Sequence, residues 1–210
     1  MFLDCIARFI RLSVEDSLAD QIPTEHWEVH ASLLAAYMPM PFATQVLVEL
    51  GKKLLKEKKV DAAHICFLLA GELPRAVDDP KALFCILGAD HHDSDSFARL
   101  VDPRNIVRTE ILEFAVRLNN PEIDCLPGLQ TFKFVLAQKL AEAGEEKQAA
   151  KYVQFINAFV RALPASQCSA EFKTRLRDFD QYLEVRPGHS SAKAAPRPTR
   201  GWFSLLTPNS

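Results

Sequence analysis

The chain has 210 residues, of which 48% are hydrophobic and 25% charged, ordinary values for a globular fold of one or two domains. Its 7 glycines are too few for the many tight turns of an all-β fold, and a formal charge of −2 gives no overall basic field to attract nucleic acid. That charge is segregated: residues 1–185 hold 21 basic against 27 acidic side chains, whereas Arg186, Lys193, Arg197 and Arg200 follow Glu184 with no further acid.

Taken from the start, residues 1–13 alternate apolar side chains with Asp4, Arg8 and Arg11 and lack the unbroken apolar core of a signal peptide. Met1, Phe2, Ile6, Phe9 and Ile10 are candidates to cover an open helical end or to pair with a second chain, which predicts a homodimer. Pro39 and Pro41 bound a helix of roughly residues 42–58. Residues 62–70, AAHICFLLA, are apolar almost all round and predict a helix buried on several sides. Residues 82–87, ALFCIL, are the one strand-like run, equally readable as a short buried helical turn.

Asp102-Pro103 opens the next helix as N-cap and first helical residue, and Asn119-Asn120-Pro121 ends it. Val107, Ile111, Phe114, Ala115 and Leu118 form its expected core face. Leu129, Phe132, Leu136 and Leu140 mark a further helix, and Ala149, Tyr152, Val153, Ile156, Phe159 and Val160 another. Leu50, Leu54 and Ala63 share their spacing with Leu136, Leu140 and Ala149, each set reading as helix, polar turn and second helix. The pattern predicts an all-α fold, an α-solenoid of stacked hairpins over residues 1–185. Residues 186–210 read as a disordered basic tail ending in GWFSLL.

Chemistry is sparse. Cys5, Cys66, Cys85, Cys125 and Cys168 have no metal or redox spacing, which suits a reducing compartment. No run reaches the length of a membrane span, so a cytosolic chain with at most peripheral membrane contact is expected. Asp90-His91-His92-Asp93 could supply ligands to a metal-dependent phosphohydrolase, but no second ligand-bearing strand end accompanies it. The competing reading is a polar loop in which Asp93 or Asp95 caps the next helix. His26 and His30 share a helix face as zinc ligands can, although a surface pair fits better. His64 reads as a core-edge histidine with a satisfied hydrogen bond. Asp78-Asp79 and Glu145-Glu146 are solvated turn pairs, and no phosphate-binding glycine loop occurs. No catalytic, cofactor or metal residue is assigned. Trp202, Phe203, Leu205 and Leu206 are a candidate docking motif for a partner or a membrane surface.

Four ordered segments between residues 42 and 160 carry a family resemblance. Val60 to Gly71 (VDAAHICFLLAG) resembles a segment of the Sec-sixteen family, scaffolds of endoplasmic-reticulum exit sites. Ile86 to His91 (ILGADH), Arg108 to Ala115 (RTEILEFA) and Leu126 to Phe134 (LPGLQTFKF) are similar to three later segments in the same order. The resemblance implies an ancestral coatomer element, a bent helical solenoid, and a non-catalytic role in organising COPII coat assembly in endoplasmic-reticulum-to-Golgi transport. It implies self-association, COPII partners and binding to a WD-repeat propeller subunit. In the family that propeller is held by a β-blade preceding the helices. This chain shows no strand-rich stretch before its helices, so no propeller-contact residue carries over. The alternatives are the phosphohydrolase on Asp90, His91 and His92, and a helical-repeat binding module unrelated to coats.

Overall fold

The structure, a computed structural model, describes residues 22–161 and 168–185. A 3-10 turn, Thr24–His26, leads into α1 (Trp27–Tyr37), α2 (Met40–Lys56) and α3 (Val60–Leu69). An irregular stretch follows, and then a second 3-10 turn, Ser94–Ser96, and the single-turn α4 (Phe97–Leu100). The remaining helices are α5 (Pro103–Asn119), α6 (Pro127–Glu142), α7 (Glu146–Val160) and α8 (Ala170–Val185). Proline stands in the first turn of α2, α5 and α6, where its missing N–H would lack a partner anyway. The all-α expectation holds: the described residues contain no strand, only one isolated bridge between Ile86 and Ala89.

Two helical hairpins organise the described residues, α2 with α3 and α6 with α7. α1 lies on both helices of the first, α5 packs on α6, and α8 packs on α7. The two hairpins turn in the same way. Lys59 N donates to Leu54 O at 2.9 Å, and Glu145 N donates to Leu140 O at 2.8 Å. The residue between helices is left-handed in both, Lys58 at φ 61° and Gly144 at φ 86°. Leu54, Lys58 and Ala63 therefore correspond to Leu140, Gly144 and Ala149, the equivalence the repeated spacing predicts. Ala63 and Ala149 are fully buried and let the paired helices approach. Gly51 does the same from α2: a Cβ there would lie 2.4 Å from the Phe67 ring.

Among the described residues, the core has two clusters. One gathers Leu34, Leu47, Leu50, Leu54, Phe67 and neighbours from α1–α3. The other gathers Ile106, Leu129, Leu136, Val153, Ile156 and Leu176 from α5–α8. The strand-like run 82–87 is neither strand nor helix. It is threaded between the clusters, with Ala82, Cys85 and Ile86 in one and Leu83, Phe84 and Leu87 in the other. A segment covered on both sides is apolar at every position, which imitates a buried strand.

The expected core face of α5 is corrected. Val107 and Phe114 are half-buried, while Ile111, Ala115 and Leu118 are exposed. α5 instead buries Asn105, Ile106, Thr109, Glu110 and Glu113. Apolar periodicity misplaces the face because most of the inward polar groups find hydrogen bonds, which offset much of the cost of burying them.

Candidate functional site

The loop between the clusters is held from both sides. Gly88 N donates to His64 Nδ1 (3.1 Å), and Leu87 N donates to Thr109 Oγ1 (3.0 Å). Gly88 adopts φ 81°, and a Cβ on it would meet Asn105 Oδ1 at 2.7 Å, so only glycine fits this turn. His64 is buried and stacks on Phe84 with ring centroids 4.8 Å apart. Burial pushes its pKa down to about 4, against smaller opposing effects of Asp61 and Asp90. His64 is thus a neutral structural acceptor.

The polar string after this loop is spent on local structure. Asp90 Oδ1 accepts from His92 N at 3.0 Å, and the two histidine rings stand 3.8 Å apart. Asp93 caps the 3-10 turn by accepting from Asp95 N and pairs with Lys58 at 2.6 Å, as the loop reading predicts. That pairing holds the Asp93 carboxyl below its usual range. Burial, aided by His92, lowers the His91 pKa. Among the described residues no three His, Cys, Asp or Glu side chains are placed to hold a metal. His26 and His30 do not form a surface pair: His26 is exposed at the entry to α1, whereas His30 is buried within it. Burial pushes the thiols of Cys66 and Cys85 up to about 12, leaving them unreactive as nucleophiles. Trp202, Phe203, Leu205 and Leu206 lie outside the described residues, as do Met1, Phe2, Ile6, Phe9 and Ile10.

The arrangement that sequence reasoning missed is a buried polar seam between α5 and the α6–α7 hairpin. Glu113 Oε1 accepts from Leu126 N (2.8 Å) and from Gln130 Nε2 (3.1 Å). Its Oε2 is ion-paired with Lys133, and both side chains are almost fully buried. One turn away, Tyr152 Oη donates to Glu110 Oε2 at 3.2 Å, while Glu110 Oε1 has no hydrogen-bond partner. Burial, reinforced by Glu113, pushes the Glu110 pKa up to about 7 against the opposing pull of Lys133 and Tyr152. The available signal was the polar row Asn105, Thr109, Glu113 at four-residue spacing.

With its carboxylates turned inward, α5 shows solvent a row of Arg104, Arg108, Ile111, Ala115 and Leu118, all exposed. Arg117, at the rim, stacks over the Phe159 ring of α7 at 5.3 Å. Among the described residues, this arrangement brings together no three side chains that could cage a metal. It offers helix faces for other helices.

The profile of the Sec16 Sec23-binding domain matches residues 3–204. The chain belongs to this Sec16 family. The COPII coat assembly protein sec16 of Neosartorya fischeri is 39% identical over 124 residues, 58% of this chain and 7% of that protein. The protein of the same name from Aspergillus fumigatus is 38% identical over 124 residues, with the same coverage. That of Phaeosphaeria nodorum is 33% identical over 160 residues, 73% of this chain and 9% of that protein. The chain therefore spans less than a tenth of the length of these relatives. No solved structure matches the chain. Among the described residues, no helix is long and apolar enough to cross a membrane.

Proposed function

We propose that this Sec16-family domain is a non-catalytic scaffold that organises COPII coat assembly at endoplasmic-reticulum exit sites, on the cytosolic face. The family match over residues 3–204 carries the reading, because it covers nearly the whole chain and is named for Sec23 binding. The relatives' names as coat assembly proteins support it. Paired helical hairpins suit the task. Their outer faces supply extended surface, and the buried seam fixes the helices so that this surface does not have to be ordered on binding.

The expected partner is Sec23, with other COPII components, a WD-repeat propeller subunit and a second copy of the chain as further candidates. Peripheral membrane or partner contact belongs to the tail residues Trp202, Phe203, Leu205 and Leu206. The phosphohydrolase alternative is weaker, because Asp90 and Asp93 already serve local hydrogen bonds and a salt bridge. The deciding experiment mixes the purified chain with purified Sec23 and follows binding by calorimetry and light scattering. A saturable complex is expected. Absence of a complex at micromolar concentrations of both proteins sinks the reading, as would stoichiometric bound metal lost on His91→Ala.

A further inference from the structure

α5 carries Arg104, Arg108, Glu110, Glu113 and Arg117 as its charged residues. Glu110 and Glu113 face the interior. In a chain of net negative charge, this one helix presents only positive charge to solvent. Two of the arginines also stand at the helix N-terminal half, where the macrodipole disfavours cations. Arg104 is ion-paired with Asp102 at 3.6 Å and Arg108 with Asp61 at 4.0 Å, both too long for a hydrogen bond and weak at such exposed guanidinium groups. Their side chains are 87% and 61% exposed. Both guanidinium groups therefore have donors to give.

The spacing of the outward row is equally specific. Arg104, Arg108, Ile111, Ala115 and Leu118 follow one another at intervals of four, three, four and three, the alternation of a coiled-coil seam. The row spans about 21 Å at 1.5 Å per residue. Ile111 is 46% exposed and Leu118 68%, so α5 leaves an apolar half-seam beside a basic one. Ala115 between them gives the close approach that a facing knob requires.

The geometry points to a docking site for one α-helix of a partner protein, an amphipathic helix with apolar residues facing Ile111, Ala115 and Leu118 and carboxylates facing Arg104 and Arg108. Charge separates this occupant from a second copy of α5 and from the segment after Glu184. A second copy of α5 in parallel would set arginine on arginine; in antiparallel it would set Arg104 against Leu118 and Arg108 against Ala115. Neither arrangement supplies an acid. The chain's own tail after Glu184 has no carboxylate side chain. A membrane surface needs an apolar face wider than one heptad seam. Arginine at seam positions is tolerated only opposite a paired charge, which makes the acids on the partner a requirement of register. The inference is independent of the Sec23 reading, since it fixes partner chemistry and not partner identity.

The test uses the full chain and a labelled synthetic helix of three heptads, leucine at the positions facing Ile111, Ala115 and Leu118, glutamate at those facing Arg104 and Arg108. A matched helix carries lysine for glutamate. Fluorescence anisotropy should show saturable binding of the glutamate helix, roughly tenfold or more tighter than the lysine helix. The double variant R104E/R108E should invert that preference. Leu118→Asp should weaken the glutamate helix by at least about tenfold. These side chains are exposed, so circular dichroism and thermal unfolding should stay unchanged. No binding of the glutamate helix, equal binding of both helices, or indifference to Leu118→Asp overturns the proposal. So does co-sedimentation with phosphatidylserine vesicles that Leu118→Asp abolishes, which would assign the row to a membrane. Self-association lost in the same variant would assign it to a second copy.

Discussion

Two buried titratable side chains, Glu110 and His64, give stability opposite dependences on pH. The Glu110 pKa is raised from 4.5 to about 7 in the fold, so the folded protein holds this proton over a range where the unfolded chain has released it. Its contribution is fully present below 4.5 and is lost as pH rises through about 7. His64 falls from 6.5 to about 4, so the unfolded chain binds the proton first. Its contribution is present above 6.5 and is lost as pH falls towards 4. At about 1.4 kcal/mol per unit, each effect is on the order of 3 kcal/mol, and they offset one another between pH 4.5 and 6.5. Glu110→Gln removes one side of this balance. Urea unfolding of that variant from pH 4.5 to 7 should show stability climbing with pH more steeply than in the parent. A parent curve that already climbs, unchanged by the substitution, would mean that the Glu110 carboxyl is ionised in the fold.

At the scale of helices, the Glu113–Lys133 pair decides which face of α5 turns inward. Lys133→Met leaves Glu113 buried and uncompensated, and should cost about 3–5 kcal/mol in chemical denaturation. Adding Glu113→Gln keeps an acceptor for Leu126 N while removing the charge, so the double variant should recover stability relative to Lys133→Met alone. Additive losses would mean the pair is not coupled. The hairpin turns offer a smaller check. Gly144 has open space around it but φ 86°, so Gly144→Ala should cost about 1 kcal/mol from backbone strain alone. The positions of α2, α3, α5, α6 and α7, both hairpins and the caps at Asp93 and Asp102 were legible in the sequence, because proline, capping residues and periodic leucines act locally. The orientation of α5 was not. It depends on partners at Leu126, Gln130, Lys133 and Tyr152, and no one-helix pattern reports that a polar residue finds its bond on another helix. The outward row was hidden for the same reason: Ile111, Ala115 and Leu118 read as core until Glu110 and Glu113 are seen to take the inside.

Across the whole molecule, the two hydrophobic clusters meet through a segment with no regular structure. Phe84 stacks on His64 and Phe67 from the α3 side, its ring 6.0 Å from that of Phe67, and it is fully buried. Ile86, two residues on, belongs to the α5–α8 cluster and is equally buried. The halves are therefore joined by side-chain packing, by the two loop hydrogen bonds to His64 and Thr109 and by the surface pair Arg108–Asp61, with no described helix running through both. Such a connection predicts local stabilities that differ between halves. Phe84→Ala removes a large ring from one cluster, at a cost of about 3–5 kcal/mol, and leaves the contacts of Ile86 in place. Native-state hydrogen exchange should then accelerate in α1–α3 well before α6 and α7. Ile86→Ala should reverse the order. Equal acceleration of every helix in both variants would show that the chain opens as one cooperative unit and that the segment 82–87 welds the clusters together.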